Sequence, residues 1–240
     1  MFSLPFYISN FMSWFVKRKS ARHRLRGYVN SFLYAPIISR FIKKTFGEKV
    51  SYIKFVRQHT PSRFVCVVND KYFVKIFKKN LGVRLKNFEF LVNYISKFMD
   101  VTIPPVYIAK NNHIYVTPKI SGISLYDFDK KFVLKHEKQI LHQVENIIDE
   151  LQSIDVSKIP DAERFCVALE STSKQSKIES ITSDSVLAHM DLNIRNFLFD
   201  KDMNICGLID FDSLCITNDR TRDMQIFMKY WNRYKENNKK

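Results

Sequence analysis

Glycine and acid are what this chain of 240 residues has least of. Five glycines and seven prolines exclude a collagen-like rod or a Gly-rich linker and leave few places for close backbone approach to a ligand. Against 24 Asp and Glu stand 39 Lys and Arg, a formal charge of +15, so phosphate or anionic lipid is attracted over most of the surface. The four cysteines, Cys66, Cys166, Cys206 and Cys215, form no CxxC pair and keep no regular spacing. That excludes a disulfide framework and a zinc site and fits reduced thiols in the cytoplasm. No stretch reaches the roughly 20 apolar residues that span a bilayer. The apolar run over 2–16 has no basic leader and is followed by Lys17, Arg18 and Lys19, so it is expected to be retained and not cleaved as a signal peptide.

What is there begins with a composition shift. Residues 1–48 carry nine Lys and Arg against the single acid Glu48, with aromatics between them, and predict an extension in front of a compact body. If 3–16 is helical, Leu4, Tyr7, Ile8, Phe11, Met12 and Phe15 share one apolar face and Ser9, Asn10 and Ser13 lie opposite. Such a face beside basic residues suits the headgroup boundary of an anionic membrane. It equally suits packing on the body, and the sequence leaves both open.

From residue 50 the texture is that of strands. Runs at 52–56, 63–68 and 72–77 are β-rich, with Asn69-Asp70-Lys71 as a turn between the last two. Residues 84–99 change period, placing Leu85, Phe88, Val92, Ile95 and Met99 on one helical face. Two more strands, 106–109 and 113–116, meet at Asn111-Asn112. The predicted order is therefore five strands with one helix after the third. Beyond Gly122 a long amphipathic helix runs through Ile140, Val144, Ile147 and Leu151, then short strands over 185–188, 197–199 and 205–209, and a last helix over 223–234. Residues 156–183 have no readable pattern.

The chemistry concentrates in two windows. His189-Met190-Asp191-Leu192-Asn193-Ile194-Arg195-Asn196 precedes an apolar strand, a turn and a second strand that ends in Ile209-Asp210-Phe211-Asp212. This spacing brings three oxygen-bearing side chains to one end of a hairpin. Asn196 and Asp210 then suit a hard cation such as Mg²⁺, while Asp191 remains for an incoming hydroxyl. The plain alternative is that Asp191 and Asn196 cap turns and Asp210 ends a strand.

The pattern HxDxxxxN, a hairpin, then an apolar-apolar-Asp resembles the catalytic and metal loops of the protein-kinase-like phosphotransferases, which include aminoglycoside phosphotransferases and lipopolysaccharide-core sugar kinases. Within that group the windows look closest to Kdo kinases. The resemblance implies an α+β bilobal fold, with a five-stranded antiparallel N-lobe over 49–118 carrying one helix and a mainly helical C-lobe over 119–240. It implies ATP and Mg²⁺, with Asp191 as catalytic base, Asn196 and Asp210 as metal ligands and His189 as a brace of the loop. Asp212 serves a second metal or the turn. Lys75, on the otherwise apolar third strand, is expected to meet the nucleotide phosphates and to pair with Glu89, the only Glu of the following helix. The Pro118 carbonyl and the Ile120 amide are expected at the adenine edge. Asp223 is expected to open the last helix and to accept hydrogen bonds from the catalytic loop. One departure stands out: residues 58–63, where a glycine-rich loop would cover phosphates, contain no glycine, and Thr60, Ser62 or Arg63 would have to donate instead.

At +15 the chain should repel polycationic drugs and favour an anionic sugar or glycolipid, so the expected acceptor is a hydroxyl of a lipopolysaccharide or other membrane-linked saccharide. The expected location is the cytoplasm, at the inner face of its membrane. The alternatives are a soluble small-molecule phosphotransferase and a nonenzymatic pseudokinase or basic membrane-binding module. Nucleic acid is not an expected partner, since zinc-finger spacing, an RNP-like strand and a recognition-helix signal are all missing.

Overall fold

A computed structural model describes residues 4–14, 16, 19–56, 63–165 and 181–236. The chain divides into two units, one of residues 1–89 with 105–119 and one of residues 90–104 with 120–240. The expected loop over 58–62, Cys166 and most of the patternless stretch lie outside the described residues.

The first unit is built on an antiparallel sheet of five strands. They are β1 (Ile53–Val56), β2 (Arg63–Val68), β3 (Tyr72–Phe77), β4 (Tyr107–Ile108) and β5 (Ile114–Pro118), in the order β1-β2-β3-β5-β4. Asn69 and Asp70 both take positive φ, 54° each, which matches the turn to the twist of β2 and β3. Asn69 further secures this corner, its Oδ1 accepting from the Ser51 amide at 2.9 Å and its Nδ2 donating to Lys49 O at 2.8 Å.

Two helices precede the sheet: α1 (Leu4–Trp14) and α2 (Lys19–Phe46). The second is an element the sequence conceals, because Gly27, Pro36 and scattered bases interrupt its period. It is no appendage. Tyr34, Ile38 and Ile42 are fully buried in one core with Phe64, Cys66, Val74, Ile76, Ile114 and Val116. The expected boundary near residue 48 therefore does not separate an extension from the lobe; the sheet needs α2 to cover its back. Since side chains alternate along a strand, Val74 and Ile76 face α2 and Lys75 faces the other way. On that other side Tyr115, paired in register with Lys75, packs against Phe88 of α3 (Val83–Ile95), ring centroids 5.3 Å apart.

In the second unit, α4 (Lys130–Lys135) starts at Asp129, whose Oδ1 accepts from the Phe132 amide at 3.0 Å. It leads into α5 (Glu137–Ser153), which buries Ile140, Val144, Ile147, Ile148 and Leu151 as its period requires. Glu137 ties α5 to the last helix, α6 (Arg222–Glu236), accepting from Trp231 Nε1 and Lys235 Nζ at 2.8 Å each. β6 (Ile123–Ser124) precedes α4, and between α5 and α6 in the chain come β7 (Val186–Ala188), β8 (Phe197–Phe199), β9 (Ile205–Leu208) and β10 (Cys215–Thr217); they are arranged as β6-β8-β9 and β10-β7.

Two glycines hold β8 and β9 against their neighbours, with different tolerance. A Cβ on Gly122, which has φ +138°, would lie 2.6 Å from Leu198 Cβ, an atom fixed to the β8 backbone. A Cβ on Gly207 would meet Ile120 Cδ1 at 2.6 Å, the movable end of a side chain. Gly122→Ala is thus expected to lower stability by about 1–3 kcal/mol and Gly207→Ala by less, as read from urea midpoints. Equal losses would mean that β6 and β8 do not approach as closely as described.

Candidate active site

The loop between β7 and β8 carries Asp191 and is fastened from three sides by groups it meets in the second unit. Asp223, the second residue of α6 and fully buried, accepts from the His189 amide at 2.7 Å on Oδ2 and from the Met190 amide at 2.8 Å on Oδ1. This satisfies two amides at a point where Met190 takes φ 62° and the strand ladder has ended. His189, also fully buried, donates through Nε2 to Ile209 O at 3.1 Å, and its ring lies 4.6 Å from that of Phe211. A carbonyl can only accept, so Nε2 carries the proton. His189 thus joins the loop to the segment that bears Asp210 and Asp212.

The third fastening comes from the amides. Asn196 Nδ2 donates to Asp191 O at 2.8 Å, and the Ile209 amide donates to Asn196 O at 2.9 Å. Asn193 Nδ2 lies 3.2 Å from both Asp191 O and Asp191 Oδ1. Asn196 is nearly buried, Asp210 is exposed in the left-handed region at φ 64°, and Asp212 is buried in the short 3-10 turn 211–213. Burial raises the Asp191 carboxyl above the usual carboxylate range, and the neighbouring Asp210 and Asp212 charges add to the rise; the Asn193 amide and His189 act against it. Asp191, Asn196 and Asp210 are therefore brought together around one loop.

These residues fit a hard divalent cation. With Nδ2 of Asn196 committed to a carbonyl, its Oδ1 is the atom left to bind. Together with the Asp210 carboxylate it makes an oxygen donor set of the type Mg²⁺ takes, and a cation there would relieve the repulsion of Asp191 with Asp210 and Asp212. Among the described residues no group of three or more His, Cys, Asp or Glu forms a preassembled metal cage.

In the first unit, Lys75 Nζ stands 5.5 Å from the centre of the Tyr115 ring. Glu89 has a different partner from the one expected. Its Oε1 accepts from the Ile108 amide at 3.0 Å, on β4, and burial raises its carboxyl, with that bond and Lys86 acting against the rise. Pro118 closes β5 opposite Tyr72, and the next amide, that of Lys119, donates to Lys71 O at 2.7 Å. Ile120 belongs to the second unit, its side chain against Gly207. Two residues that sequence reasoning gave no role are Asn193, which holds the Asp191 carboxylate, and Tyr115, beneath Lys75. Asn193 lies inside the window that carries Asp191, but the usual Asn turn bonds the amide two residues on, as Arg195 N does here at 3.0 Å, and so gives no sign of the bond back to Asp191.

A five-stranded antiparallel unit with α3 after β3, and a second unit whose HxDxxxxN loop is latched to Asp223 of α6 and to the Ile209 carbonyl, is the kinase-like phosphotransferase fold. Residues 125–231 match the model of the Phosphotransferase enzyme family, APH. Among solved structures, the chain is similar to APH(3'')-Id of Streptomyces rimosus, bound to ADP and streptomycin, at 13% identity, TM-score 0.59 and 86% coverage of both chains. It is similar to aminoglycoside 2'-phosphotransferase-IIIa in complex with GDP at 15% identity and TM-score 0.57, covering 84% of this chain and 79% of that one. It is also similar to the macrolide 2'-phosphotransferase MphH of Brachybacterium faecium at 12% identity and TM-score 0.53, covering 87% and 84%. No curated protein sequence matches the chain.

Proposed function

We propose that this chain transfers the γ-phosphoryl group of a nucleoside triphosphate to a sugar hydroxyl. The observation that supports it most directly is the gathering of Asp191, Asn196 and Asp210 by bonds to the backbone of a single loop. In this reading Asp191 orients the acceptor hydroxyl and takes its proton as the new oxygen–phosphorus bond forms and the bond to the departing nucleoside diphosphate breaks. Its raised proton affinity serves that role, because a base is more effective the closer its pKa lies to the working pH. Asn196 Oδ1 and Asp210 would hold Mg²⁺, which when bound neutralises phosphate charge. Lys75 is assigned to the nucleotide phosphates, and Pro118 O and the Ile120 amide to the base. Glu89 supports this half indirectly, by fixing β4 to α3.

For the acceptor, the +15 charge favours an anionic saccharide such as the Kdo region of lipopolysaccharide core or another membrane-linked glycan. A second reading, an antibiotic phosphotransferase, is favoured by the streptomycin bound in one structural neighbour. The full chain, incubated with Mg²⁺ and ATP or GTP, is expected to add one phosphoryl group to a Kdo-containing core saccharide and not to streptomycin or kanamycin, as read by mass spectrometry. Phosphorylated drug alone would replace the first reading with the second. Asp210→Asn is expected to weaken Mg²⁺-nucleotide binding by about tenfold or more, measured with a fluorescent nucleotide at varied Mg²⁺. An affinity unchanged by the substitution would remove Asp210 from the metal site.

A further inference from the structure

The hairpin of α1 and α2 is built with its polarity reversed. In water, the face of Leu4, Tyr7, Phe11 and Met12 belongs inside and that of Ser9 and Ser13 outside. The structure does the opposite. Ser9 and Ser13 are 1% and 0% exposed, whereas Phe11 and Trp14 are 65% and 75% exposed. Within the hairpin Ser13 Oγ accepts from Arg26 Nε at 2.7 Å and donates to Asn10 O at 2.9 Å. On α2 the same inversion recurs: Gly27 and Asn30 are buried, and Tyr28 and Phe32 are 69% and 80% exposed. Small and polar residues at the seam with large apolar ones outside is the arrangement helices adopt when their solvent is apolar.

Charge decides what covers this surface. Residues 1–48 carry nine bases against Glu48, so a second copy of the chain would bring like charge to like charge. Anionic phospholipid brings the complementary sign together with acyl chains for the aromatics, and Tyr and Trp are the residues that settle at that boundary. No described helix is long and apolar enough to cross a membrane, which limits the hairpin to lying in the interface. We infer that α1 and the first half of α2 are a docking surface for anionic phospholipid bilayers. The inference stands apart from the phosphotransferase reading, because it uses none of the residues assigned to that chemistry. Lys78 Nζ, 3.9 Å from the centre of the Tyr7 ring, ties α1 to the chain just after β3, so a docked hairpin carries the first unit with it.

The chain supplies its own reporter. Of its two tryptophans Trp231 is fully buried and Trp14 exposed. The full chain is expected to sediment with vesicles of phosphatidylcholine and phosphatidylglycerol and not with phosphatidylcholine alone. Acyl-chain bromination should quench its fluorescence, and Trp14→Phe should abolish that quenching. The double variant Phe11→Glu, Phe32→Glu should partition at least about tenfold less well, with an unchanged far-ultraviolet spectrum, since both side chains already face outward. Sedimentation without quenching, or equal partition of the double variant, overturns the inference. So does a dimer in lipid-free solution that the double variant dissolves, for then a second copy covers the face.

Discussion

Asp191→Ala is expected to lower phosphoryl transfer by about 10²–10⁴-fold while nucleotide affinity stays nearly unchanged. The separation follows from which atoms of residue 191 hold the loop together. Asn196 Nδ2 and the Asn193 amide bond its backbone carbonyl, at 2.8 Å each, and an alanine keeps that carbonyl. What is lost is the carboxylate, whose described hydrogen-bond partner is the Asn193 side chain at 3.2 Å. Turnover at saturating acceptor and binding of a fluorescent nucleotide, measured on the same preparation, check the two halves. Turnover within about threefold of the parent would show that no proton acceptor is needed at this position, since even weak general-base catalysis exceeds that. Asn193→Ala should do less, raising KM for the acceptor more than it lowers kcat, because Asn193 only aims the carboxylate.

Asp223→Ala should be the most destabilising single substitution in the second unit that leaves its hydrophobic core intact. It strands two backbone N–H groups of the catalytic loop in a buried setting, at about 1–3 kcal/mol each. Set against a total stability of about 5–15 kcal/mol, that is a large share, and urea unfolding should show it directly. Asp223→Asn keeps the shape but replaces one acceptor oxygen with a donor, so it should recover only part of the loss. A combined loss under about 1 kcal/mol for the alanine variant would mean the loop finds other acceptors, and that α6 does not position it.

The elements that could be read from the sequence are those whose signal is local. The runs at 63–68 and 72–77 match β2 and β3 residue for residue, because alternation and the Asn-Asp turn both lie within twenty residues. The role of Asp223 came from the family resemblance, since its place at the start of a helix signals only a cap, and its bonds to the His189 and Met190 amides match that expectation. The long helix α2 was not legible, because its apolar residues Tyr34, Ile38 and Ile42 serve a sheet that begins later in the chain, and Pro36 sits inside it. Its partner is tertiary, and no window of sequence contains it. Glu89 failed for a related reason: the only acid of a helix is not obliged to choose the nearest conceptual cation. The Ile108 amide on β4 took it, since a buried N–H left without an acceptor costs about 1–3 kcal/mol. The polarity of α1 was legible as a pattern but not the medium its apolar face meets, which stayed open between membrane and body until the structure turned that face outward.

The way α2 divides its length has a consequence for how this protein could be altered. Its first half offers aromatics outward, and its second half seals the reverse of the strand that bears Lys75. Trimming the chain to detach it from lipid would therefore strip the cover from Val74 and Ile76 and unseat the lysine between them. On the proposed roles of the hairpin in lipid docking and of Lys75 in phosphate binding, the two are expected to be uncoupled by editing single outward side chains, whereas a protease working on the hairpin is expected to extinguish both together.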